Sequence, residues 1–209
     1  MFGPDFIKNA LIAAPAILFS LTVHEFFHAY IAFRFGDTTA KDMGRLTLNP
    51  LAHLDLFGTL MMFLSGFRFG WAKPVPINPY HLKNPRVADF WISIAGPFSN
   101  LGLAFIFGVL FRIAYGGIIQ LPPGIVQFFL FGVIVNISLA LFNMIPLYPL
   151  DGSHILKNIL PARYEIVLVE FERFAPFILM FLIIIGGFGF ILGPFIAIFV
   201  QLFTGLKVG

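Results

Sequence analysis

The chain has 209 residues, of which 59% are hydrophobic and only 11% charged, with a mean hydropathy of +0.93 and a formal net charge of +3. A soluble domain carries about 25% charged residues and can hide only part of its surface, so a cytosolic globular domain, a disordered chain and a secreted scaffold are all excluded. Cysteine is absent, which removes disulfides, a thiol nucleophile and thiolate metal ligation, and the small basic excess fits membrane topology better than nucleic acid.

The first apolar stretch, Phe6 to Phe33, is long enough to cross a hydrocarbon core about 30 Å thick. Lys8, the apolar run and Ala13-Ala14-Pro15-Ala16 imitate a signal peptide, but cleavage there would leave Ile17 to Phe33, barely enough to span. Arg34 to Pro85 is polar. Within it, Gly44 to Leu48 alternates like a short strand stopped by Asn49-Pro50. Leu56 to Phe67 is too short for a comfortable span and reads as a re-entrant or interfacial piece. Lys73-Pro74-Val75-Pro76-Ile77-Asn78-Pro79 must be extended or turning.

Phe90 to Ile113 and Ile125 to Ile145 are further spans. Pro149 to Arg173 is polar and ends in a short amphipathic helix over Ala162 to Arg173. Phe177 to Phe203 is interrupted by Gly186, Gly187, Gly189, Gly193 and Pro194, and reads either as one kinked helix or as a span with an interfacial helix. The expected fold is an all-α polytopic membrane protein. It has about four transmembrane helices, a re-entrant segment and a short β element in the cytoplasmic loop, and forms a single membrane-embedded domain over residues 1–209.

These spans put Arg34, Lys41, Arg45, Arg68, Lys73, Lys83, Arg86, Lys157, Arg163 and Arg173 on one side, and Lys8, Arg112 and Lys207 on the other. The basic side faces the cytoplasm and the N-terminus lies outside.

His24-Glu25-Phe26-Phe27-His28 is an H-E-x-x-H motif inside the first span. Residues four apart share a helix face, so both imidazoles can reach one metal ion, with Glu25 beside it as a base. The alternative is a pair of packing histidines with a surface glutamate, but an acid inside a span is costly unless it has a task. Catalytic zinc takes three protein ligands, and depth and side select Asp151, which follows the prolines at 146 and 149 just past the third span. The competing reading of Asp151 is a helix N-cap. A shared metal requires Leu56 to Phe67 to return to its own side, since a true crossing would part Asp151 from His28.

These motifs resemble the site-2 protease family of intramembrane zinc metalloproteases (peptidase M50). Further matches are Gly96-Pro97-Phe98-Ser99-Asn100, Asn143-Met144-Ile145-Pro146 before Leu150-Asp151-Gly152, Leu48-Asn49-Pro50-Leu51-Ala52-His53-Leu54-Asp55, and Gly70-Trp71-Ala72-Lys73-Pro74-Val75-Pro76. The likeness is to a compact prokaryotic branch without PDZ or CBS domains. It implies one Zn²⁺ per chain bound by His24, His28 and Asp151, and Glu25 as the catalytic acid/base. A metal within a span is accessible laterally, so the expected substrate is a transmembrane protein cleaved in or near its helix, and the charge asymmetry puts the site toward the cytoplasmic side of the cell membrane. Asn100 and Asn143 are candidates for substrate binding, each against an interhelical hydrogen bond. His53 and His81 read as interfacial loop residues or accessory ligands, and His154 as turned away. A substrate helix must unwind before attack, and Gly44 to Leu48 offers an edge to hold it. The rival class is a transporter moving metal ions or protons through the buried His, Glu and Asp, which leaves the H-E-x-x-H spacing unexplained.

Overall fold

The computed structural model describes residues 4–66 and 70–206, so Phe67 and Arg68 at the predicted end of the re-entrant piece, and Lys207, lie outside the described residues. In chain order the helices are α1 (Pro4–Arg34), α2 (Thr39–Asp42), α3 (Leu56–Leu64), α4 (Pro85–Tyr115) and α5 (Pro123–Asn143). They are followed by α6 (Asp151–Ile159), α7 (Glu165–Glu172), α8 (Ala175–Ile184) and α9 (Gly187–Thr204). Four of them are long and apolar enough to cross a membrane: Ala10–Arg34 within α1, then α4, α5 and α9.

α1, α4 and α5 form the central layer, with α9 packed on α4 and α5 and α6 laid against α4. Lipid tails are as apolar as leucine, so helices associate through close contact at small residues. α1 shows this on one stripe, where Ala16, Ser20, His24, His28 and Ala32 recur every fourth residue and are all buried. Between α4, α5 and α9 the contact is bulkier: Phe107, Val133, Ile137 and Val200 close around Ala104. Outward-facing side chains such as Leu11, Phe98 and Phe105 stay exposed, as lipid-facing surface requires.

α3 has nine residues, about 14 Å of helix, and cannot span. Its start is fixed by Asp55, whose carboxylate accepts the Gly58 N–H at 2.8 Å. The stretch from 177 to 203 is a broken helix: α8 stops after ten residues, and Gly186, at φ 69°, starts α9. α9 alone is therefore the fourth span.

The predicted strand at Gly44 to Leu48 does not form. These residues turn and bend, and the extended pairing nearby is a single antiparallel bridge between Leu54 and Ala72. The alternating side chains were misleading because Arg45 points inward to the main chain of Lys73 and Pro74, and its neighbours find no partner strand.

Candidate metal centre

His24 and His28 sit one turn apart on the buried stripe of α1, and Asp151 opens α6 opposite them. Their Nε2 atoms are 3.0 Å apart. Asp151 Oδ2 lies 3.3 Å from His24 Nε2, and Oδ1 lies 3.4 Å from His28 Nε2. All three ligand atoms fall within 4.8 Å of one another.

The far ring nitrogens decide the tautomers. His28 Nδ1 meets the Ile92 carbonyl at 2.7 Å, an acceptor only, so Nδ1 carries the proton. His24 Nδ1 meets Asn100 Oδ1 at 2.7 Å. The orientation of that amide follows from its other end, since Nδ2 donates to the Ser20 carbonyl at 3.2 Å and to Asn136 Oδ1 at 2.8 Å. Asn136 in turn donates to Ser20 Oγ and to the Gly132 carbonyl. With both Nδ1 atoms protonated, two bare Nε2 lone pairs and a carboxylate converge on one point. Asp151 Oδ2 is buried and accepts no hydrogen bond. Such a set of acceptors repels itself unless a cation sits between them, and nitrogen–nitrogen–oxygen donors suit zinc. Asp151 does not act as a cap, because Leu150 holds the N-cap position and Asp151 is already in the first turn.

Gly96 on α4 makes room for the rings. A Cβ there would stand 2.5 Å from His28 Nε2 and 2.6 Å from His24 Cε1, so no larger residue fits while both rings face the centre.

Glu25 is half-buried beside His24, and its Oε2 accepts the Val75 N–H at 2.9 Å. Asn100 is completely buried behind His24, with both ends of its amide engaged. Asn143 is half-buried at the end of α5 and donates to the Leu139 carbonyl.

The remaining histidines stand apart from this centre. His53 is buried with Nε2 on the Thr47 carbonyl. His81 faces Asp37 at 3.4 Å. His154 turns to Asp89 at 3.3 Å, where Asn158 also donates to Asp89 and ties α6 to α4. The His154 imidazole is raised above its ordinary value by the Asp89 hydrogen bond, against the effect of burial. Burial pushes the Asp37 carboxyl up, but hydrogen bonds from the Thr39 hydroxyl and from the Asn78 and Thr39 amides outweigh it and hold the group low.

Sequence reasoning missed the Val75 contact, the Ile92 carbonyl and Asn136, and it met Gly96 only as part of a motif, without its role of making room for the imidazoles. Asn136 left a signal of its own, as an amide in the middle of an apolar span.

Between α1, α3, α5, α8 and α9 lies a cavity of about 990 Å³, walled mainly by apolar side chains that include Ile17, Leu21, Ile134 and Leu139. It reaches Thr22, two residues before His24, and Trp71 and Ala72.

Residues 110–186 match the family model described as Peptidase family M50, a stretch that contains Asp151. The chain is 44% identical over 178 residues to a Bacillus subtilis protein named "Putative zinc metalloprotease YwhC", covering 82% of this chain and 80% of the relative. It is 30% identical over 172 residues to "Putative zinc metalloprotease Rip2" of Mycobacterium tuberculosis, covering 80% of this chain and 63% of that protein. A Methanocaldococcus jannaschii relative, "Putative zinc metalloprotease MJ0611", is 42% identical over 66 residues, about a third of each chain. No solved structure matches. The histidines of an H-E-x-x-H motif and an aspartate from a later helix bring their ligand atoms within 4.8 Å of one another among membrane-length helices, and the relatives that share most of this length all carry metalloprotease names: the chain belongs to peptidase family M50.

Proposed function

We propose that the protein is a zinc-dependent intramembrane endopeptidase. In this reading it forms one membrane-embedded domain and hydrolyses a peptide bond in or near a transmembrane helix of a membrane-protein substrate. The observation that carries the reading is the convergence of two deprotonated Nε2 atoms and the unpartnered Asp151 Oδ2 next to Glu25. His24, His28 and Asp151 hold one zinc ion per chain. When bound, the ion supplies Lewis acidity to the scissile carbonyl and to water.

The chain's own residues do the rest. Glu25 takes the proton of the attacking water and returns it to the leaving amine, and the Val75 N–H holds its carboxylate for that exchange. Asn100 and the Ile92 carbonyl hold the imidazoles with Nε2 facing inward. The apolar cavity beside α1 offers lateral access for a hydrophobic segment, which favours a transmembrane substrate. Asn143 is the asparagine with surface to offer to that segment. The ten-to-three division of basic residues favours a centre on the cytoplasmic side and an N-terminus outside.

The test is metal content and turnover of the purified protein in detergent. Glu25→Gln keeps its zinc and loses several orders of magnitude in turnover, because shape is kept and the base is removed. Asp151→Ala loses zinc, whereas His81→Ala keeps it. Near-normal cleavage by Glu25→Gln, or a full site in Asp151→Ala, would refute the reading.

A further inference from the structure

The extended segment after Ala72 is pinned at several points. The Lys73 N–H donates to the His53 carbonyl at 2.9 Å, and the Asn78 N–H donates to Asp37 Oδ2 at 2.7 Å. Between these anchors stand Pro74 and Pro76, which have no N–H. Val75 therefore offers the single main-chain donor of residues 74–76, and it is spent on Glu25. The Val75 side chain is buried among Ala29, Ala40 and Leu46, which presses the segment against the same helix that carries Glu25.

Behind this segment lies Arg45, only 7% exposed. Its Nη2 donates to the Lys73 carbonyl at 2.6 Å and to the Pro74 carbonyl at 3.3 Å, and its Nε is buried without a partner. Among the described residues no carboxylate lies within 4.0 Å of it. A buried cation served only by carbonyls is costly, so its retention needs a reason beyond filling space. The Pro74–Val75 peptide supplies one. A trans peptide is planar, with C=O and N–H pointing opposite ways and its dipole running between them. Here the carbonyl end faces the Arg45 guanidinium and the amide end faces the Glu25 carboxylate, so cation, peptide dipole and anion stand head to tail. A charge on the carbonyl oxygen also polarises the amide and strengthens its donation.

We infer that Arg45 is a positioning residue for Glu25, acting through the Pro74–Val75 peptide to fix the carboxylate beside the metal centre. The inference rests on the role proposed above for Glu25. Arg45 itself makes no hydrogen bond or ion pair to His24, His28 or Asp151 among the described residues.

Two readouts test it, and the first does not depend on activity. Hydrogen exchange followed by mass spectrometry isolates the Val75 amide, since it has no exchanging main-chain neighbour on either side. In Arg45→Met that amide exchanges at least about tenfold faster than in the parent, which corresponds to loss of one charge-assisted hydrogen bond. The second readout is cleavage of a single-span transmembrane peptide carrying a fluorophore and quencher, by zinc-loaded protein in detergent. Arg45→Met lowers kcat between about tenfold and a hundredfold with KM and zinc content held. Arg45→Lys, which keeps the charge, recovers most of both effects. Val75→Pro removes the N–H, along with part of the buried side chain, and lowers kcat at least as much, and the double variant is no worse than Val75→Pro.

If Arg45→Met fails to fold, Arg45→Gln removes the charge while keeping a donor and carries the same readouts. Unchanged Val75 exchange, a kcat loss that multiplies in the double variant, or loss of zinc from Arg45→Met overturns the inference. If no variant or parent cleaves the peptide, the proposed protease function fails, and Val75 exchange still decides whether Arg45 orders the contact with Glu25.

Discussion

Replacing Asn100 with alanine tests how the imidazoles are held. The substitution deletes three hydrogen bonds: from His24 Nδ1 to Oδ1, and from Nδ2 to the Ser20 carbonyl and to Asn136. Side-chain hydrogen bonds between membrane helices average about 0.6 kcal/mol, so the fold loses roughly 2 kcal/mol. The larger effect falls on the metal. Without Oδ1 the His24 ring is free to move its proton to Nε2, which removes the lone pair a metal needs. Loss of such a supporting contact weakens metal binding by about 10- to 100-fold, or about 1.4 to 2.8 kcal/mol. Competition against a chelator of known zinc affinity, with purified protein in detergent, measures the loss directly. Asn136→Ala leaves the His24 contact in place and shows a smaller loss. If Asn100→Ala binds zinc as tightly as the parent, Asn100 does not set the His24 tautomer and the account of the centre fails.

Gly96→Ala places a methyl 2.5 Å from His28 Nε2, so elemental analysis finds the variant depleted of zinc while its circular dichroism stays helical; full occupancy contradicts the close packing described here. The His154–Asp89 contact is fully present below the ordinary histidine value of about 6.5 and fades as pH rises through the raised folded-state value. The thermal midpoint in detergent therefore falls on the alkaline side in the parent, and the slope flattens in His154→Gln; identical profiles remove the contact from the stability account. The absence of native cysteine permits topology mapping with an impermeant thiol reagent: Asp42→Cys, Lys83→Cys and Arg163→Cys label from the cytoplasm and Ile118→Cys from outside, and the reverse pattern breaks the four-span orientation.

The candidate metal ligands stand out in the sequence because chemistry restricts them. His24 and His28 are spaced for one helix face, and few carboxylates lie at the right depth to join them, which singled out Asp151. The spans were equally legible, since each needs about 20 predominantly apolar residues and α4 and α5 supply stretches of that length. What escaped was everything that depends on main-chain partners far along the chain. Nothing in Val75 announces that its amide meets Glu25, fifty residues earlier. Nothing in Asn100 announces that α1 engages its Oδ1 through His24 and that α1 and α5 together take up its Nδ2. Gly44 to Leu48 alternated like a strand for a different reason, an inward arginine, which periodicity alone does not distinguish from a pleat.

The stripe on α1 that carries Ala16, Ser20, His24, His28 and Ala32 has a bearing on how the gene can vary. The same face that lets neighbouring helices approach closely also presents the candidate metal ligands His24 and His28, so helix phase and the geometry of that centre are one property. A single inserted or deleted residue turns the downstream part of the helix by about 100° relative to the upstream part. Such an indel between Ala16 and Ala32 would present larger side chains to a contact sized for alanine and would swing at least one ligand away. The loop at 116–122 between α4 and α5 carries no such shared duty. Length variation should therefore accumulate there and be purged from α1, even at lipid-facing positions such as Phe19 and Phe27, where almost any apolar substitution would pass.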